Sequence, residues 1–289
     1  MSVVVDRQAF ALPRAGAPDV EIFAIGDIHG RTDLLAALIE EARREPRRAP
    51  RRAIVFLGDL IDRGPDSLGA IDLAIGAGER IGAEETIALM GNHETMMRLA
   101  LDPATPLEDA IDALETWVAN GGDRVIAEFA DLDSTPTPTT PEALLDALRS
   151  GLPPRVATWL EHLRPHWRSH EILFVHAGVD PRVELDAFLA APWNAPLRGL
   201  DEDRHWAWVR WPFLGHAPGP RGWSGLFVVH GHTPNDAKPF ASHADQIKNF
   251  RLNLDAGSGL TGVAEMAIFR GAEAEVVAAR GPTNRMLRG

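Results

Sequence analysis

The sequence predicts an α/β layered domain, and three observations carry that reading. Short apolar runs that end in small or acidic residues recur at 21–26, 53–58, 86–91, 171–175, 226–230 and 251–255, with the Val, Ile and Phe content of buried strands. Helical patterns follow the first three runs, and strand–helix alternation of this kind marks a layered sheet. The chain has 289 residues, 45% of them apolar, which is ample to bury a core as one large domain or two small ones.

The elements follow in order. Thr32 or Asp33 is expected to cap a helix over 34–44, whose Leu34, Leu35, Leu38 and Ile39 share one face. Asp66 or Ser67 opens a second helix through about Ala77, and a third starts after Gly91 and passes Met96, Met97 and Leu101. From 102 to about 170 the strand signal is weak and helical periodicity dominates, over 107–119 and 141–148. The Pro/Thr run 134–141 separates these two segments and reads as an exposed loop. This middle section is a helical insertion on the α/β core. Strands resume at 263–270 and 274–279 around a turn at Gly271, and residues 280–289 are expected to fray.

Composition narrows the chemistry. There is no cysteine, which excludes disulfides, Cys-ligated zinc, iron–sulfur clusters and thiol nucleophiles. Tyrosine is absent too, and the only lysines are Lys238 and Lys248, leaving little scope for Schiff-base or P-loop chemistry. The net charge of −12 argues against nonspecific nucleic-acid binding. An anionic substrate remains allowed, because bound divalent cations reverse the local sign of a site. The N-terminus lacks the basic segment and apolar run of a signal peptide, and no run of about eighteen apolar residues could span a bilayer. A soluble cytoplasmic protein without a membrane partner is expected.

Polar groups concentrate where the strands stop. The first run ends in Gly26-Asp27-Ile28-His29-Gly30, the second in Gly58-Asp59-Leu60-Ile61-Asp62-Arg63-Gly64, the third in Gly91-Asn92-His93-Glu94. Two later strand ends add His176 and His232. In an open α/β sheet, ligands bind beyond the carboxyl ends of the strands, where such loops converge. Two carboxylates, one amide oxygen and three imidazoles suit Mn, Fe, Zn or Co. Six donors exceed what one catalytic ion with open positions needs, so two ions sharing a carboxylate are the economical reading. Singly, each motif has an ordinary reading: a hydrogen-bonded loop histidine, or a Glu94 favoured by the dipole at a helix N-terminus. Their joint occurrence at successive strand ends is what points to a metal site.

These motifs resemble those of the calcineurin-like metallophosphoesterases, most closely the phosphoprotein-phosphatase branch with its GDxHG, GDxxDRG and GNHE signatures, which stand unbroken at 26–30, 58–64 and 91–94. The resemblance runs from about Ile22 to Ala256. It implies a layered α-β-β-α sandwich, read here as a single domain over 1–289 with the helical insertion at about 102–170. It also implies one metal on Asp27, His29 and Asp59 and a second on Asp59, Asn92, His176 and His232, with Mn favoured and Fe or Zn as alternatives. A hydroxide between the ions would attack phosphorus, His93 would protonate the leaving group, and Asp62 would orient His93 and keep it protonated. Arg63 would clamp phosphate oxygens. Arg210, in Trp208-Val209-Arg210, resembles a second clamp of compact bacterial and phage phosphatases; its ordinary reading is packing among Trp206, Trp208 and Trp211. Arg221 is a weaker candidate. His230 reads as a core or supporting residue, because the family's Gly-His position corresponds to His232. Pro234 stands where many phosphodiesterases carry a further histidine. Leu89-Met90 before the third motif departs from the eukaryotic pattern, and Trp117-Val118-Ala119-Asn120-Gly121-Gly122 resembles a bacterial feature on the cleft rim.

The resemblance implies a phosphomonoesterase acting on phosphoserine or phosphothreonine in proteins, or on a small phosphoester. A diadenosine tetraphosphate hydrolase of the same fold is the alternative. Asp62 and Glu94 lean toward the phosphatase. An inactive binding module is disfavoured, because every catalytic position is filled.

Overall fold

The structure, a computed structural model, describes residues 3–130, 138–235 and 240–283. Ten strands occur among them: β1 (Val4–Ala11), β2 (Val20–Ile25), β3 (Arg51–Phe56), β4 (Glu85–Ala88), β5 (His166–Ser169), β6 (Ile172–Val175), β7 (Phe227–His230), β8 (Arg251–Asn253), β9 (Val263–Arg270) and β10 (Glu273–Arg280). They form a six-stranded sheet, β1-β10-β9-β2-β3-β4, and a four-stranded sheet, β5-β6-β7-β8. Strands β2, β3 and β4 run parallel, as do β6, β7 and β8. In register Ile25 faces Phe56 and Phe56 faces Ala88, so the loops after β2, β3 and β4 emerge side by side.

The period of two along each strand sets the layers. Ile22 and Ala24 of β2, Val55 of β3, Phe174 of β6 and Val229 of β7 share one core between the sheets. Phe23, Ile25, Ile54 and Phe56 point the other way, into a second core with the helices α1 (Thr32–Arg44) and α2 (Ser67–Ile81). The outer face of the smaller sheet, Leu173, Val175 and Val228, is covered by Trp206, Phe213 and Trp223 from the irregular segment before β7. The architecture is the layered sandwich that the sequence implied.

The insertion comprises α4 (Leu107–Trp117), α5 (Asp123–Phe129), α6 (Pro141–Gly151) and α7 (Pro154–Glu161), after α3 (Asn92–Leu101). Glu128 of α5 accepts the backbone N–H groups of Ser67 and Leu68 at 2.6 and 2.7 Å, which stitches the insertion to the start of α2. Asp66 caps α2 through Gly69 N–H at 2.9 Å. Neither Thr32 nor Asp33 caps α1, whose first residue is Thr32; the Asp33 carboxylate is instead held by the Arg31 guanidinium at 2.7 and 2.8 Å. Strands β1 and β5 were not expected. Both are sheet edges with polar, half-exposed sequence, so neither shows an apolar run. Of the end expected to fray, Arg280 pairs with Val4 and Gly281 N–H donates to the Gly262 carbonyl at 2.8 Å, while residues 284–289 lie outside the described residues. Of the loop expected at 134–141, residues 134–137 lie outside the described residues, and Pro141 already belongs to α6. No described helix is long and apolar enough to cross a membrane.

Candidate active site

Asp27 and His29 follow β2, Asp59, Asp62 and Arg63 follow β3, and Asn92 and His93 open α3. His176 follows β6 and His232 follows β7. Backbone bonds weld these loops together. Ile28 and His29 N–H both donate to the Asp59 carbonyl at 3.0 and 2.9 Å, and Gly231 N–H donates to the His176 carbonyl at 2.7 Å. His29, Asp59, Asp62, Arg63 and His232 all have left-handed backbone, with φ between 48° and 72°. Each such residue costs about 1–3 kcal/mol, so the contacts holding these loops must exceed that strain.

The imidazoles are aimed by their far nitrogens. His29 Nδ1 donates to the Ile61 carbonyl at 2.9 Å, His176 Nδ1 to the Leu57 carbonyl at 2.9 Å, and His232 Nε2 to the Trp208 carbonyl at 3.1 Å. In its neutral form each ring would present a lone pair to the interior, the arrangement that second-sphere carbonyls impose on metal-binding histidines. At His176 the Asp59 carboxylate outweighs burial and raises that ring above its ordinary value. Asn92 Oδ1 lies 3.1 Å from His176 Nε2 and 2.9 Å from His232 Nδ1, so three acceptors converge. Asp27 Oδ1 is buried with no hydrogen-bond partner among the described residues, while its Oδ2 accepts His232 N–H at 3.0 Å. A cation resolves this surplus of lone pairs, and the residues present fit one.

Charge gives the same answer. Asp27, Asp59, Glu94 and Asp255 are all fully buried. Burial, with the neighbouring Asp255 and Asp59 charges, pushes the Asp27 carboxyl well above its usual range. Burial likewise lifts Asp255 to about 6 and Glu94 to about 7. Burial also opposes the charge on Asp59, but His176, His93 and His29 around it prevail and hold it well below that range. Two like charges 4 Å apart repel by about 4 kcal/mol at an effective dielectric of 20, which bound cations would offset.

Two clusters bring donor atoms within 4.8 Å of one another: His29, Asp59 and His93, and Asp59, His176 and His232. Asp59 belongs to both. The first cluster contains His93 where the resemblance puts Asp27. His93 is committed elsewhere: its Nδ1 meets Asp62 Oδ2 at 2.5 Å, and its Nε2 accepts from Arg63 Nη2 at 2.9 Å. Arg63 Nη1 donates to His29 Nε2, also at 2.9 Å. Burial, with the Arg63 charge nearby, brings the His93 ring down to about 4. The Asp62 carboxyl is pushed up by its own burial.

Arg210 reaches the rim. Its charge disfavours protonation of His93 and His232, its side chain is 44% exposed, and among the described residues its nearest carboxylate is Glu202 at 3.8 Å. The indoles of Trp206 and Trp208 pack on His205 instead, with ring centres 4.6 and 4.9 Å away. His230 is core: it lies edge-on to Phe213 at 4.9 Å, and burial lowers it to about 3. The Arg221 carbonyl accepts from Arg14 at 2.9 Å.

Glu94, Asp255 and Trp117 were not read as site residues. Glu94 accepts the backbone N–H groups of Asp59, Leu60 and Gly91 at 2.8, 2.8 and 3.0 Å. Asp255 ends the run 251–255, and its acidic terminus was the signal to follow. Trp117 Nε1 donates to both Asp62 oxygens, at 2.9 and 3.0 Å.

The family model for calcineurin-like phosphoesterases matches residues 20–277, which contain every one of these donors. The chain belongs to that family. Over 112 residues it is 37% identical to serine/threonine-protein phosphatase 1 of Salmonella typhimurium (strain LT2), covering 38% of this chain and 44% of that protein. Over 205 residues it is 27% identical to the symmetrical bis(5'-nucleosyl)-tetraphosphatase of Aeromonas salmonicida (strain A449), covering 69% of this chain and 58% of that one. The chain thus spans about half the length of the relatives it matches. A cold-active protein-tyrosine phosphatase of a psychrophilic Shewanella species shares the fold at 16% identity, with a TM-score of 0.54 over 89% of this chain and 78% of that one.

Proposed function

We propose that this calcineurin-like phosphoesterase is a two-metal phosphomonoesterase for phosphoserine and phosphothreonine in proteins, acting as one domain. The observation that carries the reading is the placement of His93 Nε2, 2.9 Å from Arg63 and 4.0 Å from Asp59, the carboxylate shared by both donor clusters. Asp27, His29 and Asp59 would hold one ion, and Asp59, Asn92, His176 and His232 the other. Mn suits this nitrogen and oxygen donor set, as do Fe and Zn. When bound, such ions lower the pKa of attacking water to about 7 and draw charge from phosphoryl oxygens.

The chain's own side chains do the rest. The Arg63 fork, which donates to two imidazoles in the free protein, would turn those N–H groups to two phosphate oxygens. A phosphate dianion arriving there raises the proton affinity of His93, since an opposite charge favours the imidazolium. His93 would then give its Nε2 proton to the departing alkoxide while Asp62 holds Nδ1. Arg210 would add a weaker contact from the rim.

The stretch 37% identical to a serine/threonine phosphatase supports this substrate class. A second reading, hydrolysis of dinucleoside tetraphosphates, is supported by the longer alignment over 205 residues. Rates on a phosphopeptide and on diadenosine tetraphosphate, each with and without Mn²⁺, decide between them. Preference for the phosphopeptide is expected, and clear preference for the dinucleotide overturns it. His93→Asn should lower turnover by ~10²–10⁴-fold with metal content unchanged, the usual size of a general-acid contribution.

A further inference from the structure

The helical insertion reaches into the site at one side chain. Trp117, the last residue of α4, is fully buried, and its indole N–H forks onto both oxygens of Asp62. Asp62 has one further described bond to its carboxylate, from His93 Nδ1, and its backbone N–H goes to Ser67 Oγ at 3.1 Å. The chain then makes a π-helical turn, Val118–Gly122, whose Gly121 and Asn120 carbonyls accept from Arg63 N–H and Nε at 3.3 and 3.4 Å. The insertion thus touches the two neighbours, Asp62 and Arg63, that flank His93.

We propose that Trp117 is a positioning residue for leaving-group protonation, an inference that rests on the reading of His93 as the acid. A carboxylate whose two oxygens share the one N–H of a rigid, buried indole is restrained about its terminal torsion, and so stays an acceptor facing Nδ1. With the Nδ1 proton pinned to Asp62, the proton released to the substrate leaves from Nε2. As the P–O bond breaks, the alkoxide takes that proton, the ring is left neutral as the Nδ1–H tautomer, and solvent reloads Nε2.

Gly122 fits the same assignment. Its backbone is ordinary, with φ −66°, yet a Cβ there would stand 2.5 Å from both Trp117 Cδ1 and Nε1. Glycine is required at 122 because the indole lies against the backbone. Gly122→Ala is therefore a way to push the indole off Asp62 without deleting it.

The test uses leaving groups. p-Nitrophenolate departs without a proton, whereas the alkoxide of a phosphoserine peptide needs one, and active protein cancels in the ratio of the two rates. Trp117→Phe and Gly122→Ala are each expected to lose ~10–100-fold on the phosphopeptide and little on p-nitrophenyl phosphate, a fraction of the full general-acid effect. Adding Trp117→Phe to His93→Asn should cost nothing more, as for residues that act through one another. Equal losses on both substrates, or additive losses in the double variant, would overturn the role of Trp117. If His93→Asn itself shows no leaving-group dependence, the assignment of the acid fails instead.

Discussion

Glu94 Oε2 accepts the Asp59 backbone N–H at 2.8 Å and the Gly91 N–H at 3.0 Å, while Oε1 takes Leu60 N–H at 2.8 Å. One buried carboxylate thereby joins the β3 loop to the start of α3 and fixes the residue shared by both donor clusters. Glu94→Gln replaces an acceptor oxygen by a donor that faces a backbone donor. The expected loss is roughly 2–4 kcal/mol of stability, one or two charge-assisted bonds with a desolvated N–H left over. Chemical denaturation measures it; a loss within error would remove Glu94 from the framework of the loop.

Metal removal should be felt in stability as well as activity. Ions that bind only the folded chain contribute about 2.7 kcal/mol per site at a free concentration of 100 Kd. For a chain of this size that is roughly 4–5 °C in Tm per site. Scanning calorimetry of chelator-treated protein, titrated back with Mn²⁺, should show the rise. A Tm indifferent to the ion argues against the donor set.

Arg63 and Arg210 should separate cleanly. Arg63 is held among the imidazoles, and Arg63→Ala should reduce kcat/KM by ~10²-fold, about the worth of one charge-assisted bidentate contact. Arg210 is nearly half-exposed, so Arg210→Ala should cost less than ~10-fold, mainly in KM, and more at low salt. Equal effects would put both in the same role.

Acid sensitivity has an identifiable source in His230. Burial holds it near 3 in the folded chain, against an ordinary value of 6.5, and its Nε2 has no partner among the described residues. Between those values the unfolded chain binds the extra proton, so this contribution to stability is present above 6.5 and is lost as the pH falls toward 3. His230→Phe, which fills the same space beside Phe213, should narrow the acid loss by at most ~5 kcal/mol across that window. Urea midpoints of both proteins at pH 7 and pH 4.5 give the comparison. Parallel curves would exclude His230 as the source.

The layers were legible because buried strands carry unbroken apolar runs and their helices a one-sided stripe. The edge strands β1 and β5 were not, since a half-exposed edge with Asp6, Arg7 and Gln8, or with His166 and Arg168, has no such pattern. Asp27, His29, Asp59 and Asn92 were legible because the three motifs are contiguous in sequence, and His176 and His232 because each follows an apolar run. Trp117 and Asp255 were hidden for the opposite reason: each reaches the centre from a distant segment, and only packing shows that an indole between 107 and 122 ends on Asp62. Glu94 stands within the third motif, but its partners are backbone groups that no sequence pattern marks.

At the mouth of β2 the two sheets almost touch. A Cβ on Gly26 would lie 2.0 Å from the Leu254 carbonyl oxygen, backbone against backbone. That seam leaves no room for one sheet to slide over the other, so the spacing between donors contributed from either side is effectively welded. On the proposed reading, changes of substrate would then be made at the rim, in the insertion and in the segment carrying Arg210, where residues can be exchanged without opening the weld. A lineage built on this scaffold would diversify its clientele while its reaction centre stays still.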